Sequence, residues 1–302
     1  MDTASVIAFV GILVFLAHLF TGIFSRTKIP DVLFLIAIGI CVGPVLGLAS
    51  PNLFGDVGPA FTTITLIIIL FEGGLTLNLG TIRAAIGGAM MLAMISFIFT
   101  MSIVAGLAIW LADLELMPAF ILGTIVASTS EAVIIPLIKQ LKTIKETTHT
   151  LLSLESSVND VLSIIITVTL VEAYVIGEFQ VVSVSSNLIA SFLVALIFGI
   201  VCALIWSILL NRIHVIKNAM FTTPAFVFIM YGITEILGFS GAIAALAFGI
   251  TLGNIESISL TIFRPSSTKE PTGLTETEKV FFSEVAFLLK TFFFVYRGSS
   301  TE

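Results

Sequence analysis

Charge is what this 302-residue sequence has least of. Only 11% of its residues are Asp, Glu, Lys or Arg, against roughly a quarter in soluble domains. That scarcity excludes a water-soluble globule, and a hydrophobic content of 58% places the chain in a bilayer. Cysteine is nearly absent. Cys41 and Cys202 lie deep in apolar runs, which argues against a disulfide or a thiolate metal site. The three histidines, His18, His149 and His214, show no ligand spacing, and no nucleophile–base pair appears. An enzyme is therefore not expected, nor a cofactor. The net charge of −6 names no partner, and no nucleic acid is expected. The opening residues MDTASV lack a basic n-region, so the first apolar run reads as a span rather than a cleaved signal.

What is there is apolar length. Runs of about 20 residues, each enough to cross ~30 Å of hydrocarbon, fall at 4–24, 30–49, 57–79, 84–112, 117–140, 149–176, 185–210, 219–237, 239–260 and 281–297. All of the 13 Lys and Arg residues except Lys290 and Arg297 fall at odd-numbered connections, and none at an even-numbered one. By the positive-inside rule, the odd connections are cytoplasmic and the N-terminus lies outside. The segment Ala37-Ile-Gly-Ile-Cys-Val-Gly43 in the second span echoes Ala247-Phe-Gly-Ile-Thr-Leu-Gly253 in the ninth, which runs in the opposite sense. Inverted repeats are characteristic of secondary transporters. Within one transmembrane domain, 1–302, the echo predicts a first repeat over 24–176. A second would start at 239, with about three helices of it missing beyond 302.

The sixth span, around Leu151 to Glu172, carries Glu155, Asn159 and Asp160 at mid-depth. Ionisable groups there cost ~3 kcal/mol each even on lenient scales, so they point to function. Glu155 and Asn159 share a helical face, as do Ser156 and Asp160. Asp160 lies about 16 Å in at ~1.5 Å per residue. A carboxylate beside hydroxyl and amide oxygens suits a hard cation such as sodium, and a proton competes for the same charge. Asn159 orients the site; Glu155 reads first as a helix-fixing ion-pair member, since such pairs are common beside transport sites. In the fifth span, Val126-Ala-Ser-Thr-Ser-Glu-Ala132 interrupts an apolar run. Its hydroxyls offer the backbone other partners and predict a break at Thr129. Glu131 faces either the broken ends or a cytoplasmic funnel. Glu72, before Gly73-Gly74, belongs either to the ion path or to a hydrated mouth. Gly43-Pro44 ends or kinks the second span, and Asp31 reads as a helix N-terminal residue. Lys290 is too deep to escape to water and is a candidate ion-pair partner; Arg297 either pairs or snorkels. Glu115, Glu178 and Glu235 read as solvated outer residues.

These residues, in this order, resemble the monovalent cation/proton antiporters, most closely the NhaP-type sodium/proton antiporters with an Asn-Asp pair. The landmarks are Ile29-Pro-Asp-Val-Leu33 leading to Gly43-Pro44, Leu70-Phe-Glu-Gly-Gly74, Ser128-Thr-Ser-Glu131 and Glu155-Ser-Ser-Val-Asn-Asp160, then Tyr231 to Gly253 with Glu235 and Ser240-Gly241, and Phe292-Phe-Phe-Val-Tyr296. The resemblance implies an all-α inverted-repeat fold of thirteen spans, ten of them present here and the fifth discontinuous. It also implies a core bundle moving against a dimerisation domain, and a homodimer. Asp160 would bind cation and proton in turn, with Asn159 as its structural neighbour. Ser156, the Thr129 backbone and Glu72 would contribute to sodium coordination. Glu155 would pair with an Arg on a later helix, beyond this chain. The Asn-Asp form implies electroneutral exchange. Many relatives have Thr-Asp-Pro at the break, where this chain has Thr129-Ser130-Glu131.

The expectation is thus a sodium (or lithium)/proton antiporter serving pH homeostasis in a prokaryotic plasma membrane. Its partners are monovalent cations, protons and lipid. Potassium/proton exchange, a channel and a non-transporting fragment are the alternatives.

Overall fold

The structure, a computed structural model, describes residues 3–27, 31–47, 57–129, 131–141, 143–176, 181–213, 219–262 and 273–299. Lys28, Ile29, Pro30, Ser130, Lys142, Glu178, His214, Lys217, Arg264 and Lys269 lie outside the described residues, as do the side chains of Arg26, Glu131, Lys139 and Arg212.

The described residues are helical almost throughout, because in hydrocarbon each backbone polar group must find its partner within the segment. The α-helices are α1 (Thr3–Thr27), α2 (Asp31–Ile40), α3 (Val57–Leu75), α4 (Leu79–Ala112), α5 (Leu116–Val126) and α6 (Glu131–Gln140). They continue as α7 (Glu146–Ile176), α8 (Val181–Ile213), α9 (Thr222–Ile236), α10 (Gly241–Gly253), α11 (Ile255–Ile262) and α12 (Glu276–Ser299). Three of them are long and apolar enough to cross a membrane by length and composition, at Gly58–Leu75, Leu79–Ala112 and Ala190–Leu210. Others are shorter because the chain breaks them, and α7 carries a polar middle.

Two packing groups emerge. One gathers α4, α5, α6 and α7; the other gathers α2, α3, α8, α9, α10 and α12, with α1 alongside. Contacts of α3 with α6 and of α7 with α8 join the two. The second group is built around α10, where every residue from Ile243 to Gly249 is buried. Small residues let backbones approach there, as in membrane helix pairs generally. A Cβ on Gly199 of α8 would stand 2.4 Å from Ala244 O, and one on Gly249 would stand 2.3 Å from Phe71 O. Helix α4 buries Ala85, Ala89, Ala93 and Phe97 at four-residue spacing. Its remaining faces expose Met91, Ile95, Phe99 and Trp110.

The structure redraws several features of the sequence. The run at 239–260 is two helices rather than one span. The Asn254 amide donates to Leu77 O (2.6 Å) and Ile250 O (2.8 Å) and accepts from Leu79 N (3.0 Å), so the chain turns where that side chain is held. The third run stops at Leu75, and Asn78 caps α4 by accepting from Gly80 N at 2.7 Å. Arg83 accordingly lies within α4, not in a connection. Gly43-Pro44 falls in a wide turn, Cys41–Val45, that follows α2 and leads to Gly47 at φ +62. Cys41 and Cys202 are both free thiols. Glu235, expected as a solvated residue, is exposed but accepts from Gly241 N at 2.7 Å, closing the turn from α9 to α10.

Asp31 does more than start a helix. It is 1% exposed, and its carboxylate takes the Lys290 ammonium of α12 at 3.0 Å. The partner of Lys290 is therefore on α2 and not beside Asp160. Arg297, one face and two turns further along α12, is exposed.

Candidate functional site

Helix α7 runs about 46 Å at ~1.5 Å per residue, with Asp160 near its middle. Against it, α5 stops at Val126 and α6 starts at Glu131, with Ala127, Ser128 and Thr129 out of helix between them. Two polar contacts arise at this interruption, on two faces of α7.

On one face, the Ser128 hydroxyl donates to Asp160 Oδ1. On the other, the Asn159 amide donates to Glu155 Oε1 at 2.6 Å, one turn away. The same nitrogen stands 2.7 Å from Thr129 Oγ1 and 3.3 Å from Ser96 Oγ on α4. Glu155 Oε1 also accepts from the Ser96 hydroxyl (3.1 Å) and the Thr129 hydroxyl (3.3 Å). Glu155 is 5% exposed and Asn159 1% exposed. Among the described residues, then, a buried carboxylate is held by neutral donors, and Asn159 Oδ1 and Ser153 Oγ are buried without a partner. A buried polar atom left in that state costs about 1–3 kcal/mol.

The nominated residues distribute unevenly. Asn159, Glu155 and Thr129 come together, and Asp160 stands beside them with Ser128. Thr129 turns its hydroxyl to the Glu155–Asn159 side, while Ser128 places its hydroxyl on Asp160. Ser156 is buried on α7 and donates to Ser153 O at 3.1 Å within its own helix. Glu72 is half-buried on α3, and its neighbour Gly73 meets Ile135 of α6. Glu131 opens α6, its side chain outside the description.

Ser96 is the residue that reading the sequence missed. A lone serine in a long apolar helix resembles many others, yet it continues the buried small-residue edge of α4 three residues after Ala93. Helical spacing from that edge was the available signal. Ser128 stood inside the break motif but was passed over for Thr129.

Comparison with known proteins bears on this geometry. A family model described as sodium/hydrogen exchanger, transmembrane, matches residues 11–302. The chain is 28% identical over 274 residues to the K(+)/H(+) antiporter NhaP2 of Shewanella sp. (strain MR-4), covering 84% of this chain and 45% of that protein. It is 27% identical over 275 residues to Na(+)/H(+) antiporter 1 of Methanocaldococcus jannaschii, covering 84% and 61%. The chain thus spans about half the length of the curated relatives it matches. The solved structure of the sodium proton antiporter MjNhaP1 from Methanocaldococcus jannaschii at pH 8 superposes with a TM-score of 0.67 at 24% identity, over 99% of this chain and 71% of that one. At that identity the likeness speaks to fold.

Proposed function

This chain belongs to the sodium/hydrogen exchanger family, and we propose that the protein exchanges sodium or lithium for protons across a prokaryotic plasma membrane. The observation that carries the reading is Asp160, placed mid-helix where α5 breaks, with the Ser128 hydroxyl on it. A carboxylate there binds either a proton or a hard cation, so loading one releases the other. Alternating access follows when the α4–α7 group moves against the helices packed around α10, changing which side Asp160 faces. Ser156, the Thr129 backbone and Glu72 complete the cation's oxygen shell in this reading. Asn159 and Glu155 hold the frame.

The fifth span is α5 and α6 taken together, a discontinuous helix. The inverted repeat is supported by matching contacts. Gly39 and Gly43 of the first copy sit against Val295 O and Ser299 on α12, while Gly249 and Gly253 of the second sit against Phe71 O and Leu75 O on α3. Partners four residues apart recur in both pairs. The N-terminus lies outside, exchange is electroneutral, and the protein works as a homodimer.

A second reading, potassium for protons, is favoured by the activity named for the Shewanella relatives. Reconstituted protein with an imposed pH gradient separates the two. Sodium or lithium should collapse the gradient, and Asp160→Asn should abolish the collapse. Collapse by potassium alone would select the second reading. Collapse that survives Asp160→Asn would remove the carrier assignment.

A further inference from the structure

An interrupted helix leaves carbonyls at its C-terminal end without donors, and α5 meets α7 there at Ser163, three residues beyond Asp160. Gly123 O still receives Ala127 N at 3.0 Å. The next carbonyl, Thr124 O, would take the Ser128 N–H if the helix went on. It accepts instead from the Ser163 hydroxyl of α7, at 2.8 Å. Thr124 is fully buried and Ser163 6% exposed. The Thr167 hydroxyl, one turn on, donates to Thr124 Oγ1 at 2.8 Å, and Thr124 Oγ1 donates back to Ile121 O at 2.8 Å. Every donor of this cluster is spent locally, and none reaches Asp160.

The spacing turns this cap into a positioning device. Ser163 follows Asp160 by three residues on α7, and Thr124 precedes Ser128 by four on the chain. Two rungs therefore connect the same two elements, Ser163 to Thr124 and Asp160 to Ser128. Only Ile125, Val126 and Ala127 lie between Thr124, the fixed end of α5, and Ser128. We propose that Ser163 is a positioning residue, which caps the broken end of α5 through Thr124 O and so holds the Ser128 hydroxyl on Asp160. The assignment rests on Asp160 being the carrier, but the cap itself does not. Ser163 touches neither cation nor proton in this scheme.

Two arms test it on the whole protein. In lipid nanodiscs, deuterium uptake over residues 124–129 should rise about three- to tenfold in Ser163→Ala, as loss of one buried hydrogen bond implies. Ser163→Thr, which keeps the hydroxyl, should restore it, while uptake in α10 stays constant. Unchanged uptake at the break would overturn the proposal. So would a rise in every peptide that Ser163→Thr fails to rescue. In proteoliposomes with sodium as the probe, Ser163→Ala should raise the apparent KM by a similar factor and leave the maximal rate near that of the parent. In a Ser128→Ala background it should add nothing further, because residues that act through one another are non-additive. Multiplying effects would show that Ser163 does not work through Ser128. A parent protein that fails to exchange any cation for protons would count against antiport alone, and the uptake arm would still decide on Ser163.

Discussion

Gly249→Ala tests how closely the helices around α10 are packed. The added methyl would sit 2.3 Å from Phe71 O and 3.2 Å from Gly74 Cα. The first neighbour is helix backbone near the C-terminal end of α3, so it cannot rotate away as a side chain would. Ordinary contact needs about 1 Å more separation, and a displacement of that size gives up a large share of the dispersion energy along the crossing. Overpacking of this kind costs about 1–3 kcal/mol. The same substitution at Gly87 of α4 meets nothing within 4 Å. There alanine is the better helix former by about 1 kcal/mol, and the protein should gain slightly. Both glycines are helical, so that gain is common to the two changes, and the contrast is expected to be about 1–3 kcal/mol, set by overpacking at Gly249. Reversible SDS-induced unfolding in mixed micelles measures it. Equal stability of Gly249→Ala and Gly87→Ala would refute the close approach of α3 and α10, and with it the matched glycine contacts that support a repeat.

The same assay examines the buried pair. Lys290→Met leaves the Asp31 carboxylate without its ammonium partner and should cost about 3–5 kcal/mol, whereas the double variant with Asp31→Leu should recover most of that loss. A double variant no more stable than the single one would show that the pair is not the source of the cost. Asn254→Ala removes the side chain that holds Leu77 O and Leu79 N. Hydrogen exchange over residues 76–80 should rise several-fold, since each orphaned backbone group costs about 1–3 kcal/mol; no rise would mean the turn into α4 is held otherwise.

Local periodicity carried a good part of this architecture, and distance in sequence limited the rest. Apolar runs mark where helices lie, because burying backbone in hydrocarbon leaves few other conformations. The spacing of Glu155 and Asn159 puts them on one face, and they are hydrogen bonded there. Periodicity says which residues share a face but not which foreign helix covers it. Asp31 and Lys290 are 259 residues apart, so nothing local joins them. Ser96 reaches Glu155 only because the alanine edge of α4 brings α7 close. Asn254 looks like an ordinary residue of an apolar run until Leu77 and Leu79 are beside it. At the break, composition pointed to the hydroxyl-rich stretch. Which hydroxyl meets which carboxylate depends on the turn geometry of single residues, and neighbouring Ser128 and Thr129 went to two different faces of α7.

The buried carboxylates also show how a lock differs from a site. Asp31 meets a fixed ammonium, so its charge is neutralised inside the protein and a passing cation gains little by approaching. Glu155 and Asn159 are held differently. The Asn159 amide has two hydrogens and three acceptors within reach, on Glu155, Thr129 and Ser96, so these bonds cannot all be made at once. Its carbonyl oxygen meanwhile has no donor among the described residues. Such a network has more than one arrangement of similar energy, and it keeps an acceptor open for water or an ion's shell. Partial satisfaction is costly in a low-dielectric interior, and a chain that only needed to fold would do better with an apolar contact there. In the proposed exchange, where Asp160 would bind a cation and a proton in turn, a neighbouring network that can shift its bonds would make that cost intelligible.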